Sequence, residues 1–286
     1  MPELRLLRPG DEPALDGFLA RHADTSMFLR SNVRSAGLVD RGEPLEATYV
    51  AAFEDGRIVA VAAHCWNGML LMQAPEHAPA VARAAVERSR RAVVGVSGPW
   101  THVVAARETL GLATAPALKD SRDELYVLEL SRLVVPDTLG TGELRCRRPD
   151  PAELEHLIDW RVQFAVEALG AVDGAELRRA SRADILLWHA RGDDWVAVRG
   201  TTPVAYAAFN ATLPEIVQVG GVWTPPAERG RGYARAVVAG ALLAARRQGV
   251  SRAVLFVEPA NAAARRAYVA LGFARAGDYG LLLLAG

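Results

Sequence analysis

The chain repeats itself once, and that repeat limits the possible folds more than any other feature of the sequence. Leu4-Arg5-Leu6-Leu7-Arg8-Pro9 reads like Leu144-Arg145-Cys146-Arg147-Arg148-Pro149. Each is an alternating strand that ends at a proline and runs into an acidic helix start, at Asp11-Glu12 and at Asp150 to Glu153. Tyr49-Val50-Ala51-Ala52 then matches Trp195-Val196-Ala197-Val198, and each is followed by a turn and a second apolar strand, at 58–63 and at 204–209. Both offsets are near 140 residues, too long a period for a solenoid. Two matches in the same order point to a duplicated domain, and 286 residues hold two copies comfortably. The expected fold class is α+β: two tandem units, each a mixed, mostly antiparallel sheet flanked by helices. The expected boundary lies in the breaker-rich stretch 135–142, giving domains 1–139 and 140–286.

The second half has the clearer order. Its pattern predicts a strand at 144–147, helices at 153–169 and 174–190, and a hairpin at 194–199 and 203–212. A longer strand at 216–223, a helix at 234–248, a strand at 253–257, a helix at 262–271 and a last strand at 280–284 follow.

The sharpest local feature is the run from Val222 to Arg235, in which an apolar strand enters a proline turn and a glycine-rich loop opens directly into a helix. That layout binds anions, because the first helical N–H groups lack internal partners and the helix dipole adds partial positive charge. Gly230 and Gly232 let the backbone approach a diphosphate without Cβ obstruction, and Arg229, Arg231 and Arg235 add charge. A dinucleotide fingerprint needs a third glycine where this chain has Arg235, and a Walker loop needs Gly-Lys-Ser/Thr, which is absent.

Arg229-Gly230-Arg231-Gly232-Tyr233-Ala234 resembles the coenzyme loop of the GNAT acetyltransferase superfamily, (Arg or Gln)-x-x-Gly-x-(Gly or Ala). A second stretch is similar to the same family. Asn261 leads into Ala264, Tyr268, Gly272 and Phe273 in the pattern Asn-x-x-Ala-x-x-x-Tyr-x-x-x-Gly-Phe. The resemblance, to the FR47-like type, covers roughly 143–286 and is only an echo over the first half. It implies acetyl-CoA as co-substrate, no metal, and transfer of the acetyl group to a primary amine by direct attack on the thioester. It implies that the amides of Arg231, Gly232 and Ala234 hold the diphosphate, and that Val222 and Thr224 pair with the pantetheine arm. Trp223, Arg229, Gly230, Tyr233, Asn261, Ala264 and Arg265 complete the expected cofactor-binding set. Tyr268 is the implied acid for the leaving thiolate, with packing under the coenzyme as the alternative. The family's strand bulge would suit Gly220-Gly221, with a backbone N–H near Val222 for the oxyanion.

The base stays open: Glu215 and Glu258 are the nearest carboxylates on the relevant strands, each also readable as a surface acid, and water can serve instead. Gln218 can orient water or substrate but cannot take a proton. Trp160, Phe164 and Trp188 fit helix faces near the expected acceptor cleft, as core or as substrate contacts. In the first half, the region that should hold the matching loop has no glycine from Pro75 to Arg83, and Glu76 would repel phosphate. That copy is expected not to bind coenzyme A well.

Charge and composition narrow the partners. Thirty-three basic and 33 acidic side chains cancel, so no basic footprint for nucleic acid exists. The apolar run at 236–245 is half a membrane span, and the two cysteines sit in no metal or redox spacing. The expectation is a cytoplasmic protein acting on a small-molecule or peptide amine, without nucleic acid or membrane partners. The competing reading is a catalytically silent coenzyme A sensor or scaffold.

Overall fold

The computed structural model describes residues 2–285. In chain order the elements are β1 (Glu3–Leu6), α1 (Glu12–Leu19), α2 (Met27–Ala36), β2 (Ala47–Glu54), β3 (Arg57–Cys65), β4 (Met69–Gln73), α3 (Ala78–Ser89), β5 (Gly95–Pro99) and α4 (Trp100–Thr109). There follow β6 (Ala117–Glu129), α5 (Asp137–Gly140), β7 (Arg145–Arg147), α6 (Leu154–Leu169), α7 (Ala175–Arg191), β8 (Asp194–Arg199), β9 (Thr202–Thr212) and β10 (Ile216–Trp223). The chain closes with α8 (Tyr233–Arg247), β11 (Arg252–Val257), α9 (Ala262–Ala270) and β12 (Ala274–Leu284). The architecture is the expected α+β one.

Two compact units form. One holds the residues up to Glu124 together with those from Gly277 onward, and the other holds Leu125–Ala276. The first unit has strand order β1-β2-β3-β4-β5-β12, and the second has β7-β8-β9-β10-β11-β6. The pairing directions repeat as well: the first four strands are antiparallel in each unit, and the fourth and fifth are parallel, β4 with β5 and β10 with β11.

The repeat in the sequence is therefore a repeat of topology, but the division does not fall at 139/140. The sixth strand is the reason. β6 follows α4 and would complete the first sheet by sequence order, yet its Tyr126 and Leu128 are buried with Leu255 and Tyr268 in the second unit's core. The corresponding place beside β5 is taken by the end of β12, with Tyr279 opposite Pro99 and Leu283 opposite Gly95. Gly95-Val96-Ser97-Gly98-Pro99 is accordingly a paired strand, parallel to β4 and antiparallel to β12. The last strand begins at Ala274, not at 280.

In the second unit, α8 forms because its alanine-rich sequence repeats apolar residues on one face. Ala236, Val237, Ala239, Ala241 and Leu242 are fully buried, and each large side chain contributes about 1.5–3 kcal/mol by leaving water. This face lies on the side of the sheet that carries Val217, Val219, Leu255 and Val257. The other side is covered by α6 and α7, whose Leu157, Ile158, Trp160, Ile185 and Trp188 pack on Val196, Tyr206 and Trp223. The helix α9 is held at its start by Asn261, whose Oδ1 accepts from the Ala264 amide at 3.0 Å, and stops at Gly272, which sits at φ +98°.

Candidate active site

The site begins where two parallel strands part. β10 runs from Ile216 to Trp223, but only Ile216, Val217 and Gln218 pair with β11, opposite Arg252, Ala253 and Val254. From Val219 onward β10 keeps its partner only on the β9 side, and there the register shifts twice, between Gln218 and Val219 and between Gly220 and Trp223. Gly221, inside the second shift, sits at φ +58°, which a glycine reaches without steric cost. The sequence placed the distortion at Gly220-Gly221, and that is where the ladder is broken. The β11-facing backbone edge around Val222 is thereby left open between the strands.

The loop after β10 leads to the start of α8. A short turn at Pro226–Glu228 brings Arg229 round, and Gly230 and Gly232 both take left-handed conformations, at φ +78° and +79°. A Cβ at Gly230 would meet nothing within 4 Å, so the loop is open there. The first bond back into the helix is donated by the Ala236 amide to the Gly232 carbonyl at 3.1 Å. The amides of Tyr233, Ala234 and Arg235 precede it and have no carbonyl inside the helix to serve. Such an end attracts an anion.

The arginines divide their duties in a way the sequence did not reveal. Arg229 is engaged within the protein: its Nε donates to the Thr224 carbonyl at 3.0 Å, its Nη2 meets Glu167 at 2.9 Å, and its guanidinium lies 4.8 Å from the Trp223 ring centre. Arg231 pairs with Glu228 at 3.0 Å. Arg235 instead lies over the loop, with Nη2 3.2 Å from where a Gly232 Cβ would be. Tyr233 is buried, and its hydroxyl accepts from Arg199 at 2.8 Å, which locks the first helical turn. The Thr224 hydroxyl is buried without a partner beside the loop.

Tyr268 is 9% exposed and sits in the core between β11 and α8, against Phe273 at 6.0 Å between ring centres. Burial pushes its phenol up to about 12, so it holds its proton at neutral pH. The two carboxylates separate. Glu258 follows the last residue of β11, at the end of the sheet where β10 enters the loop, and is exposed. Glu215 precedes β10 at the opposite end, eight residues from Trp223, a run of about 25 Å at strand rise. The fold does not bring Glu215 to the parting strands. Asn261, Ala264 and Arg265 lie at the start of α9; Asn261 is spent on the helix cap, and Arg265 donates to the Pro259 carbonyl at 3.3 Å.

On the α6/α7 side, Trp188 and Tyr206 stand 3.8 Å and 3.9 Å from the Cβ position of Gly221. Phe164 meets Trp223 edge-on, and Arg161, paired with Asp184, stacks on Phe164 and Trp188 at 5.2 Å from each. Trp160 and Trp188 are core residues of this side, and Phe164 packs against it half-buried. Three histidines are structurally engaged: His189 with Asp194, His64 with Ser89 and Gly68, and His102 with the Ala74 amide.

Residues 155–273 match the acetyltransferase (GNAT) family. That match falls within the second unit. The mycothiol acetyltransferase of Nocardia farcinica is 28% identical to this chain over 272 residues, covering 85% of each. Among solved structures, a Drosophila protein determined as a structural-genomics target shares the fold at a TM-score of 0.68 and 12% identity, over 99% of each chain. A tandem GNAT protein from the clavulanic acid biosynthesis pathway does so at 0.57 and 15%, over 100% of this chain and 98% of its own. The chain is thus similar to acyltransferases of this family, and its two units share the fold of a tandem GNAT protein.

The first unit differs where the second has its loop. Only Ala74 to His77 join β4 to α3, and His77, at φ +52°, bonds Glu54 through Nε2 at 2.6 Å. Glu76 lies within 4.8 Å of both, so two carboxylates stand where the other unit presents open amides. Among the described residues no helix is long and apolar enough to cross a membrane.

Proposed function

We propose that this protein is an acetyl-CoA-dependent N-acetyltransferase that acetylates a primary amine in its second unit. The observation that carries the reading is the parting of β10 from β11 after Gln218, directly beside a glycine-rich loop that opens α8. A loop of free amides for a diphosphate and an unpaired strand edge for an amide-bearing arm are what coenzyme A requires.

The residues present fit that ligand. The amides from Arg231 to Ala234, with Arg235 above them, would take the diphosphate. Val222 would offer its backbone edge to the arm; the Thr224 carbonyl already accepts from Arg229, which leaves Thr224 one lone pair and its unpartnered hydroxyl. Acetyl-CoA, when bound, supplies an acetyl thioester.

In this reading the backbone N–H near Val222, beside the bulge, stabilises developing negative charge. Tyr268, kept protonated by burial, is the group that gives a proton to the departing thiolate. The amine loses its proton to Glu258 or to solvent at the strand ends, and Glu215 takes no part. The first unit, with Glu54 and Glu76 at the start of α3, leaves this ligand to the second.

The test is twofold: acetyl-CoA titrated calorimetrically into the whole chain, and thiol release followed with a panel of primary amines. Binding with amine-dependent release supports the reading. Binding without release by any amine would make the chain a coenzyme sensor, and no binding would remove the loop assignment.

A further inference from the structure

α8 and α9 fill one side of the second sheet with apolar side chains, so a sulfur lodged between β10 and β11 can be reached only from the α6/α7 side. By strand alternation, with Val217 and Val219 facing α8, Gln218 on β10 turns to that side at the point of parting, and Asn210 on β9 adjoins Ala211, the partner of Gln218 across the ladder.

Two features of the backbone serve Asn210. The first register shift of the β9–β10 ladder skips it: Gln218 faces Ala211 and Val219 faces Phe209, so Asn210 is the extra residue of a bulge. Bulges re-aim the side chain they carry. The second feature is Gly220, whose Cβ would fall 1.9 Å from Asn210 Nδ2 and 2.5 Å from Cγ. Gly220 needs no special dihedral; its missing side chain is the space the Asn210 carboxamide occupies. Asn210 is half-buried, so part of the residue meets solvent.

Behind it, Gln218 is 3% exposed, its Nε2 donates to the Val219 carbonyl at 2.8 Å, and its Oε1 has no partner. A buried amide oxygen without a donor costs about 1–3 kcal/mol, so an N–H arriving there would be held.

We propose that Asn210 receives the acceptor amine through its carboxamide oxygen, with Gln218 Oε1 as a second acceptor behind it once the cleft is occupied. The proposal rests on the N-acetyltransferase reading and adds the residues that orient the nucleophile. Neither carboxamide can take the proton. They fix the nitrogen through its N–H groups, leaving its lone pair to face the space between the strands.

The experiment uses the full chain and four probes: n-butylamine, ethanolamine, glucosamine and a peptide with a free N-terminal glycine. The amine giving the fastest thiol release is carried forward. Asn210→Leu is expected to raise its KM, lowering kcat/KM about tenfold, with acetyl-CoA affinity by calorimetry unchanged. Gly220→Ala, which displaces the carboxamide, should give the same KM rise, and the double variant should add nothing further. Gln218→Leu should weaken the amine as well. If Asn210→Leu and Gly220→Ala both leave the amine KM at the wild-type value while wild type turns over, the assignment of Asn210 is overturned and the function stands. If wild type releases no thiol with any amine while binding acetyl-CoA, the function falls and the Asn210 role with it.

Discussion

Gly232→Glu separates the charge requirement of the loop from its backbone requirement. Gly232 lies at φ +79°, ψ 7°, the left-handed region, where any other residue costs roughly 1–2 kcal/mol. The new Cβ would come 3.2 Å from Arg235 Nη2, the far end of a flexible side chain, so sterics add little. Gly232→Ala has the same backbone cost and no charge, and is the control. A carboxylate placed about 5 Å from a phosphate repels it by roughly 3 kcal/mol at an effective dielectric constant of about 20. Halving that for the loop's exposure leaves about 1.5 kcal/mol, or roughly tenfold in affinity. Capture of Arg235 by the new glutamate would add to the loss. Both variants should melt at similar temperatures, a few degrees below wild type. In calorimetric titration with acetyl-CoA, Gly232→Glu should bind at least tenfold more weakly than Gly232→Ala. Equal affinity of the two variants would mean that no phosphate sits at these amides.

Tyr268→Phe should lower kcat by on the order of 100-fold with little change in acetyl-CoA affinity, as loss of a proton donor does; an unaltered kcat removes Tyr268 as the acid. Its phenol is raised to about 12 from 10, so its contribution to stability is full below pH 10 and lost as pH rises towards 12; the phenylalanine variant should flatten alkaline unfolding across that window. His102, lowered to about 4 by burial, acts in the opposite direction. It stays neutral when folded but charges when unfolded, so its stability is present above pH 6.5 and lost as pH falls to 4. His102→Gln should reduce the acid slope of stability by up to about 1.4 kcal/mol per pH unit, read from urea midpoints between those pH values. Burial pushes the Cys65 and Cys146 thiols up to about 12, so a disulfide reagent at pH 8 should count released coenzyme with little background from the native protein.

The sequence by itself determined the α+β class, the duplication, and the local pieces of the site. The local pieces are written in neighbouring residues. The Gly230 and Gly232 turn, the Asn261 cap, the Gly272 stop and the Gly220-Gly221 break all act within a few positions of themselves, so their residue types announce their geometry. What only the tertiary structure decided depends on contacts distant in sequence. Arg229, Arg231 and Arg235 look alike in the loop, but Glu167 and Glu228 claim the first two and leave Arg235 over the amides. Glu215 and Glu258 look alike as strand-end acids, but a parallel pair sets them at opposite ends of the sheet. β6 reads as the end of the first repeat, yet its Tyr126 and Leu128 find their core in the second unit, which moves the boundary to Glu124. Asn210 carries no signal in sequence, because its placement needs a bulge in one strand and a missing side chain in the next, and pairing across strands is a property of the folded sheet.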